Sequence, residues 1–148
     1  MSYTLQAVIA KSGVLPDSLP FELERVQLQS GFELVPLTSN IRDVHGIAFC
    51  PLTDEGDEEL PLSLLKLCEP LSAGGEVAYI EAEIFGGAGM QAHAIFAHGK
   101  AIGSPVVAQS AINTALVRLG AERGEATDEF ESIGLGLNRD TDQWVPRT

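Results

Sequence analysis

Five polar side chains within one stretch, Tyr79, Glu81, Glu83, Gln91 and His93, have the types and spacing to support chemistry. A carboxylate directly across from an imidazole can orient the ring, raise its basicity or share a divalent metal with it. The flanking pattern predicts that placement. In residues 77–85, Ala78, Ile80, Ala82 and Ile84 alternate with Tyr79, Glu81 and Glu83, the period of a half-buried strand. Residues 90–98 repeat it with Ala92, Ala94 and Phe96 against Gln91 and His93. Between them Gly86-Gly87-Ala88-Gly89 must turn the chain. Joining the apolar rows sets even-numbered residues opposite even-numbered ones, which the odd loop Gly87-Ala88-Gly89 allows, with Gly89 at positive φ. Ile84 then faces Ala92 and Glu83 faces His93, so Glu81, Glu83 and His93 form the candidate ligand or metal site. The same residues equally suit the solvated face of a one-sided sheet, where a Glu–His pair contributes on the order of tenths of a kcal/mol.

Other motifs fail on context. His93 and His98 lie five residues apart, on opposite faces of one strand, and cannot share an ion. The glycine-rich turn is followed by a strand and not by the helix that a phosphate cradle needs. Asn138-Arg139-Asp140-Thr141-Asp142 begins like a calcium loop, but Gln143 stands where that loop requires glycine. There is no G-x-S-x-G and no H-E-x-x-H, so no catalytic residue and no cofactor is predicted. Cys50 and Cys68 have no ligand spacing and are expected as buried free thiols.

The elements that must position this hairpin follow in order. Residues 3–10 read as a strand covered on much of both faces and hence inside the sheet. A second hairpin joins residues 24–28 to 32–37, with Val26 and Leu28 facing Leu34 and Phe32; Pro36 puts the ladder edge nearby. Ser39 or Asn40 caps a short helical turn ended by Gly46, and residues 47–52 form a short apolar strand candidate. A leucine-rich helix falls near residues 60–69. Ser104 as cap and Pro105 at the first helical position begin the principal helix, residues 104–119, whose Ala108, Ala111, Ile112, Ala115, Leu116 and Leu119 recur at three and four. Asp128 and Glu131 have capping-box spacing, and Trp144 predicts a tail folded back onto the body.

The chain of 148 residues, 45% hydrophobic and 20% charged, fits a single α+β domain spanning residues 1–148, with a mainly antiparallel sheet and helix 104–119 packed on one face. Its net charge of −12 argues against nucleic acid and against an anionic membrane surface. No apolar run is long enough to span a bilayer, and residues 1–13 lack the basic start of a signal peptide, so a cytoplasmic location is expected. Acidic residues cluster at 122–131 and at Asp54, Glu55, Asp57, Glu58 and Glu59. The second cluster can complement the dipole of the following helix, or meet a basic protein partner.

Residues 77–92, the run Ala111-Ile112-Asn113-Thr114-Ala115-Leu116 and residues 128–136 ahead of Trp144 resemble a group of small uncharacterised bacterial proteins, which brings no activity with it. In size, acidity and α+β make-up the chain is also similar to immunity proteins of bacterial polymorphic-toxin systems. The leading expectation is a non-enzymatic acidic protein-binding module, in its finer form one of that immunity type. The alternatives are a metal- or ligand-binding enzyme using Glu81, Glu83 and His93, and a homodimer covering that face or an exposed edge strand.

Overall fold

The structure is a computed structural model that describes residues 2–85 and 88–145. Six strands form one antiparallel sheet in the order β2 (Val26–Gln27), β3 (Phe32–Pro36), β1 (Ser2–Lys11), β4 (Glu76–Phe85), β5 (Ala88–Ala97) and β6 (Lys100–Ala108). The fold class is α+β, as the pattern of elements predicts.

Both faces of the sheet are covered over its central strands, whereas β6 is exposed along most of its length. Leu5, Ala7 and Ile9 of β1 pack with Leu34, Ala78, Ile80, Ala82 and Ile95 beneath α3 (Ala111–Leu119) and the C-terminal segment. Val8 and Ala10 join Val35, Val77, Tyr79, Ala92 and Phe96 beneath α2 (Leu62–Leu71) and the loops before it. A strand buried on both sides is apolar on both of its rows, and from Leu5 to Ala10 β1 is so except at Gln6. It lies inside the sheet, as expected. The second hairpin also has its expected register, with Val26 opposite Leu34, and β2 ends before it would face Pro36. The helix α1 (Ser39–His45) is capped by Thr38, whose hydroxyl accepts from Ile41 N, one residue earlier than the sequence suggests. The tail returns as expected: Thr4 N donates to Arg139 O at 2.8 Å, Gln6 N donates to Thr141 Oγ1 at 3.0 Å, and Trp144 is buried among the α3-side residues.

Three expectations are corrected. First, the central hairpin pairs Glu83 with Met90, Ile84 with Gly89 and Ile80 with His93, and not Glu83 with His93 or Ile84 with Ala92. The register sits three residues from the expected one, and an odd slip transfers the return strand's rows to opposite faces. Gly86 and Gly87 of the expected turn lie outside the described residues. Gly89 is not at positive φ but inside β5, where an added Cβ would stand 2.6 Å from Ile84 Cα. Second, residues 100–108 are a strand, so the principal helix begins only at Ala111 and spans 9 residues. Ser104-Pro105, which resembles a helix start, instead belongs to a bulge: Gly103, Ser104 and Pro105 bow out between the pairs Ile95–Ile102 and His93–Val106, with Gly103 at φ 67°. An edge bulge is where a strand tolerates proline, and the following Val106-Val107 favours extended backbone. Third, residues 47–52 are a loop and not a strand.

The amphipathic stripe of α3 gives a direct test. Ile112→Ala, at a fully buried site, should cost about 2–5 kcal/mol. Val117→Ala, on the exposed side of the same helix, should stay within about 0.5 kcal/mol. Urea unfolding of both variants measures the difference.

Candidate functional site

The observed register separates the expected trio. Glu81 and Glu83 point toward the α2 side with Tyr79, whereas His93, opposite Ile80, lies on the α3 side. There His93 is 7% exposed and its Nδ1 is 2.7 Å from Ala111 O, so Nδ1–H donates to that carbonyl. Gln91, two residues earlier on the same row, accepts from Ile112 N at 3.0 Å. Both residues therefore fasten the first turn of α3 to the sheet.

Glu81 is the centre of a buried polar cluster. It has no exposed surface, yet four donors meet its two oxygens. Tyr79 Oη (2.8 Å) and Leu52 N (3.2 Å) donate to Oε1; Thr53 N (2.9 Å) and Thr53 Oγ1 (2.7 Å) donate to Oε2. Gln6, directly across the ladder on β1, is equally buried. Its Nε2 donates to Ala48 O at 3.0 Å, and its Oε1 accepts from Cys50 N at 3.1 Å. A side-chain pair on adjacent central strands thus holds the loop over residues 48–53, whose backbone groups would otherwise be buried unpaired. Burial, reinforced by Glu81, pushes the Tyr79 hydroxyl well above its usual range and keeps it a donor. The Cys50 thiol is pushed up to about 12, first by burial and then by Glu81. Burial likewise raises Cys68. Both cysteines are buried and free, and as neutral thiols they are poor nucleophiles.

Glu83, one step outward on the same face, is partly exposed. Desolvation raises its carboxyl above the usual range, and Asp54 beside it adds to the rise. Among the described residues no group of three or more His, Cys, Asp or Glu is arranged to hold a metal ion.

The other expected site residues, Asp54, Glu55, Asp57, Glu58 and Glu59, are all exposed and leave the Glu81-anchored loop as one acidic segment. It leads to the sheet's β6 edge. A groove of about 180 Å³ there is lined by Glu59, Leu60, Leu65, Ile95, Ser104 and Pro105. Sequence reading missed this place because it took Ser104 and Pro105 for the start of a helix. No described strand pairs with the outer side of β6, and Ile102, Val106 and Val107 on it are each more than 40% exposed. Comparison with known protein families, with curated proteins and with solved structures finds no match.

Two variants test this account. Glu81→Gln replaces an acceptor oxygen by a donor facing donors, and should destabilise by about 1.5–3 kcal/mol in urea. Hydrogen exchange should quicken selectively at the Leu52 and Thr53 amides. For Glu83 the folded protein holds its proton more tightly than the unfolded chain, so its contribution to stability falls as pH rises from the unfolded pKa through the raised folded one. Glu83→Gln should melt higher than the parent at neutral pH and lose that advantage below about pH 4. Melting curves across this range check the sign.

Proposed function

We propose that this chain is a non-catalytic protein-binding module that uses the β6 edge, and that its partner presents an extended basic segment. The observation that carries the reading is one juxtaposition: a 9-residue strand open on its outer side, an apolar groove beside it and Glu59 of the acidic segment at that groove. An open strand offers backbone donors and acceptors to an added strand, while flanking pockets select its side chains. The acidic segment supplies steering and partner choice for lysine and arginine. A second copy of this chain fits worse, because each copy carries a net charge of −12 and edge pairing would bring like charges together. The same charge disfavours nucleic acid. Among the described residues no helix is long and apolar enough to cross a membrane. A reducing, cytoplasmic setting is supported by the two free thiols, Cys50 and Cys68. In its most specific form the role is that of an immunity protein covering a basic active site, which the similarity of size, acidity and make-up suggests.

An alternating lysine–valine peptide should bind the protein, and an alternating glutamate–valine peptide should not. Raising salt from 50 to 200 mM should slow association by about tenfold or more. Joint charge reversal of Asp57, Glu58 and Glu59 to lysine should abolish steering, and Val107→Lys on the exposed edge should shorten the lifetime of the complex. Binding that ignores salt and both sets of substitutions defeats the reading. A concentration-dependent dimer abolished by Val107→Lys would assign the edge to a second copy instead.

A further inference from the structure

A cleft of about 320 Å³ opens on the α3 side of the sheet. It shares no residue with the β6 groove and does not depend on the partner-binding reading. Tyr3, Ile84 and Phe130 give it apolar walls, the two rings meeting edge to face with centroids 5.3 Å apart. Gln91, Asn113, Asp128 and Arg139 give it polar ones.

The hydrogen bonds leave these polar groups in a lopsided state. Asn113 Oδ1 accepts from Phe130 N at 2.8 Å and its Nδ2 donates to Asp128 Oδ2 at 3.1 Å, which fixes the orientation of the amide. Asp128 Oδ1 accepts from Glu131 N at 2.9 Å as the cap of α4 (Glu129–Ser132), so both its oxygens are engaged. Gln91 Oε1 is taken by Ile112 N, and among the described residues its Nε2 amide group has no partner. Among the described residues no carboxylate pairs with the Arg139 guanidinium; the ion pairs are Arg25–Glu33 and Arg118–Glu76. Yet Arg139 is anchored through its backbone, accepting from Thr4 N and donating to Gln143 Oε1 at 3.0 Å. Around the cleft the amide and carboxylate acceptors are engaged, whereas donors remain on Gln91, Asn113 and the guanidinium.

We propose that this cleft binds a small organic anion, a carboxylate carried on a flat apolar body. The carboxylate oxygens take the Arg139 guanidinium and the free amide hydrogens of Gln91 and Asn113; the body lies against Tyr3, Phe130 and Ile84. A guanidinium matches a carboxylate with two parallel hydrogen bonds, and the volume is that of a small-molecule site. Asp128 also lines the cleft, but both its oxygens already accept hydrogen bonds, which leaves the guanidinium as the charged group with bonding capacity; an inorganic anion leaves the aromatic wall unused.

Benzoate is the probe, with benzamide as its uncharged counterpart and sulfate as the ion without a body. In amide-resolved NMR titrations, benzoate should give saturable shifts centred on Gln91, Asn113, Phe130 and Arg139, with affinity in about the millimolar range. Benzamide and sulfate should each bind about tenfold more weakly. Arg139→Gln, at an exposed side chain without a partner among the described residues, should weaken benzoate by about tenfold at an unchanged melting temperature. Equal binding of benzoate and benzamide, sulfate matching benzoate, shifts centred elsewhere or an absence of saturable shifts with benzoate would each overturn the proposal.

Discussion

The structure depends on a carboxylate placed where water does not reach. Glu81 sits mid-strand in β4 with no exposed surface, and an isolated charge there would cost several kcal/mol. Its four donors remove that liability, and three of them belong to Leu52 and Thr53. The loop is therefore the carboxylate's solvation shell, and the carboxylate is the loop's anchor. Gln6 repeats the arrangement one strand away. Cys50, between the two anchor points, adopts φ 41°, a conformation costing about 1–3 kcal/mol that persists because both sides hold it. The acidic segment leaves this loop at Asp54, so its route toward the β6 edge starts from a fixed point.

Much of this fold is legible from the residues. Doubly apolar β1 predicts a central strand, the Val26–Leu34 register follows from turn length, and Gly46 and Gly120 mark helix ends. The central hairpin shows where such reasoning stops. Alternation identifies the two strands, but register depends on which face of each strand meets the other, and both faces of this sheet are buried. Ala78, Ala82, Ala92 and Ala94 fit either side. Tyr79 and Glu81 read as solvent-facing because the loop that covers them and supplies three of the Glu81 donors is distant in sequence. The candidate trio failed for the same reason, since a slip of odd length moves His93 to the far side. Ser104-Pro105 is ambiguous in another way: proline's fixed φ and missing donor suit the first turn of a helix and an edge bulge alike.

Covering both faces also determines where recognition can occur. Where layers cover the central strands the sheet has no open face to offer, and its remaining resources are the exposed β6 edge and the crevices where covering layers meet strand ends. The β6 groove and the cleft by Arg139 are the two kinds of place left. They differ in character: one carries acidic side chains beside backbone hydrogen-bonding groups, the other a guanidinium beside two rings. An acidic chain can thus hold a local preference for anions without contradiction, because screening confines exposed charges to about 10 Å.

The bridge between Thr4 and Asp140 has a consequence for biosynthesis. It ties β1 to a segment synthesised much later, the Gln6–Thr141 hydrogen bond beside it spanning 135 residues of chain. Until residues 139–144 emerge, Trp144 is missing from the α3-side interior and the amides of Thr4 and Gln6 lack their native acceptors. The nascent sheet therefore waits with one side incompletely closed. Contacts so distant along the chain form late and slowly. The interval before closure is when this chain is most exposed to chaperones, proteases and its own neighbours.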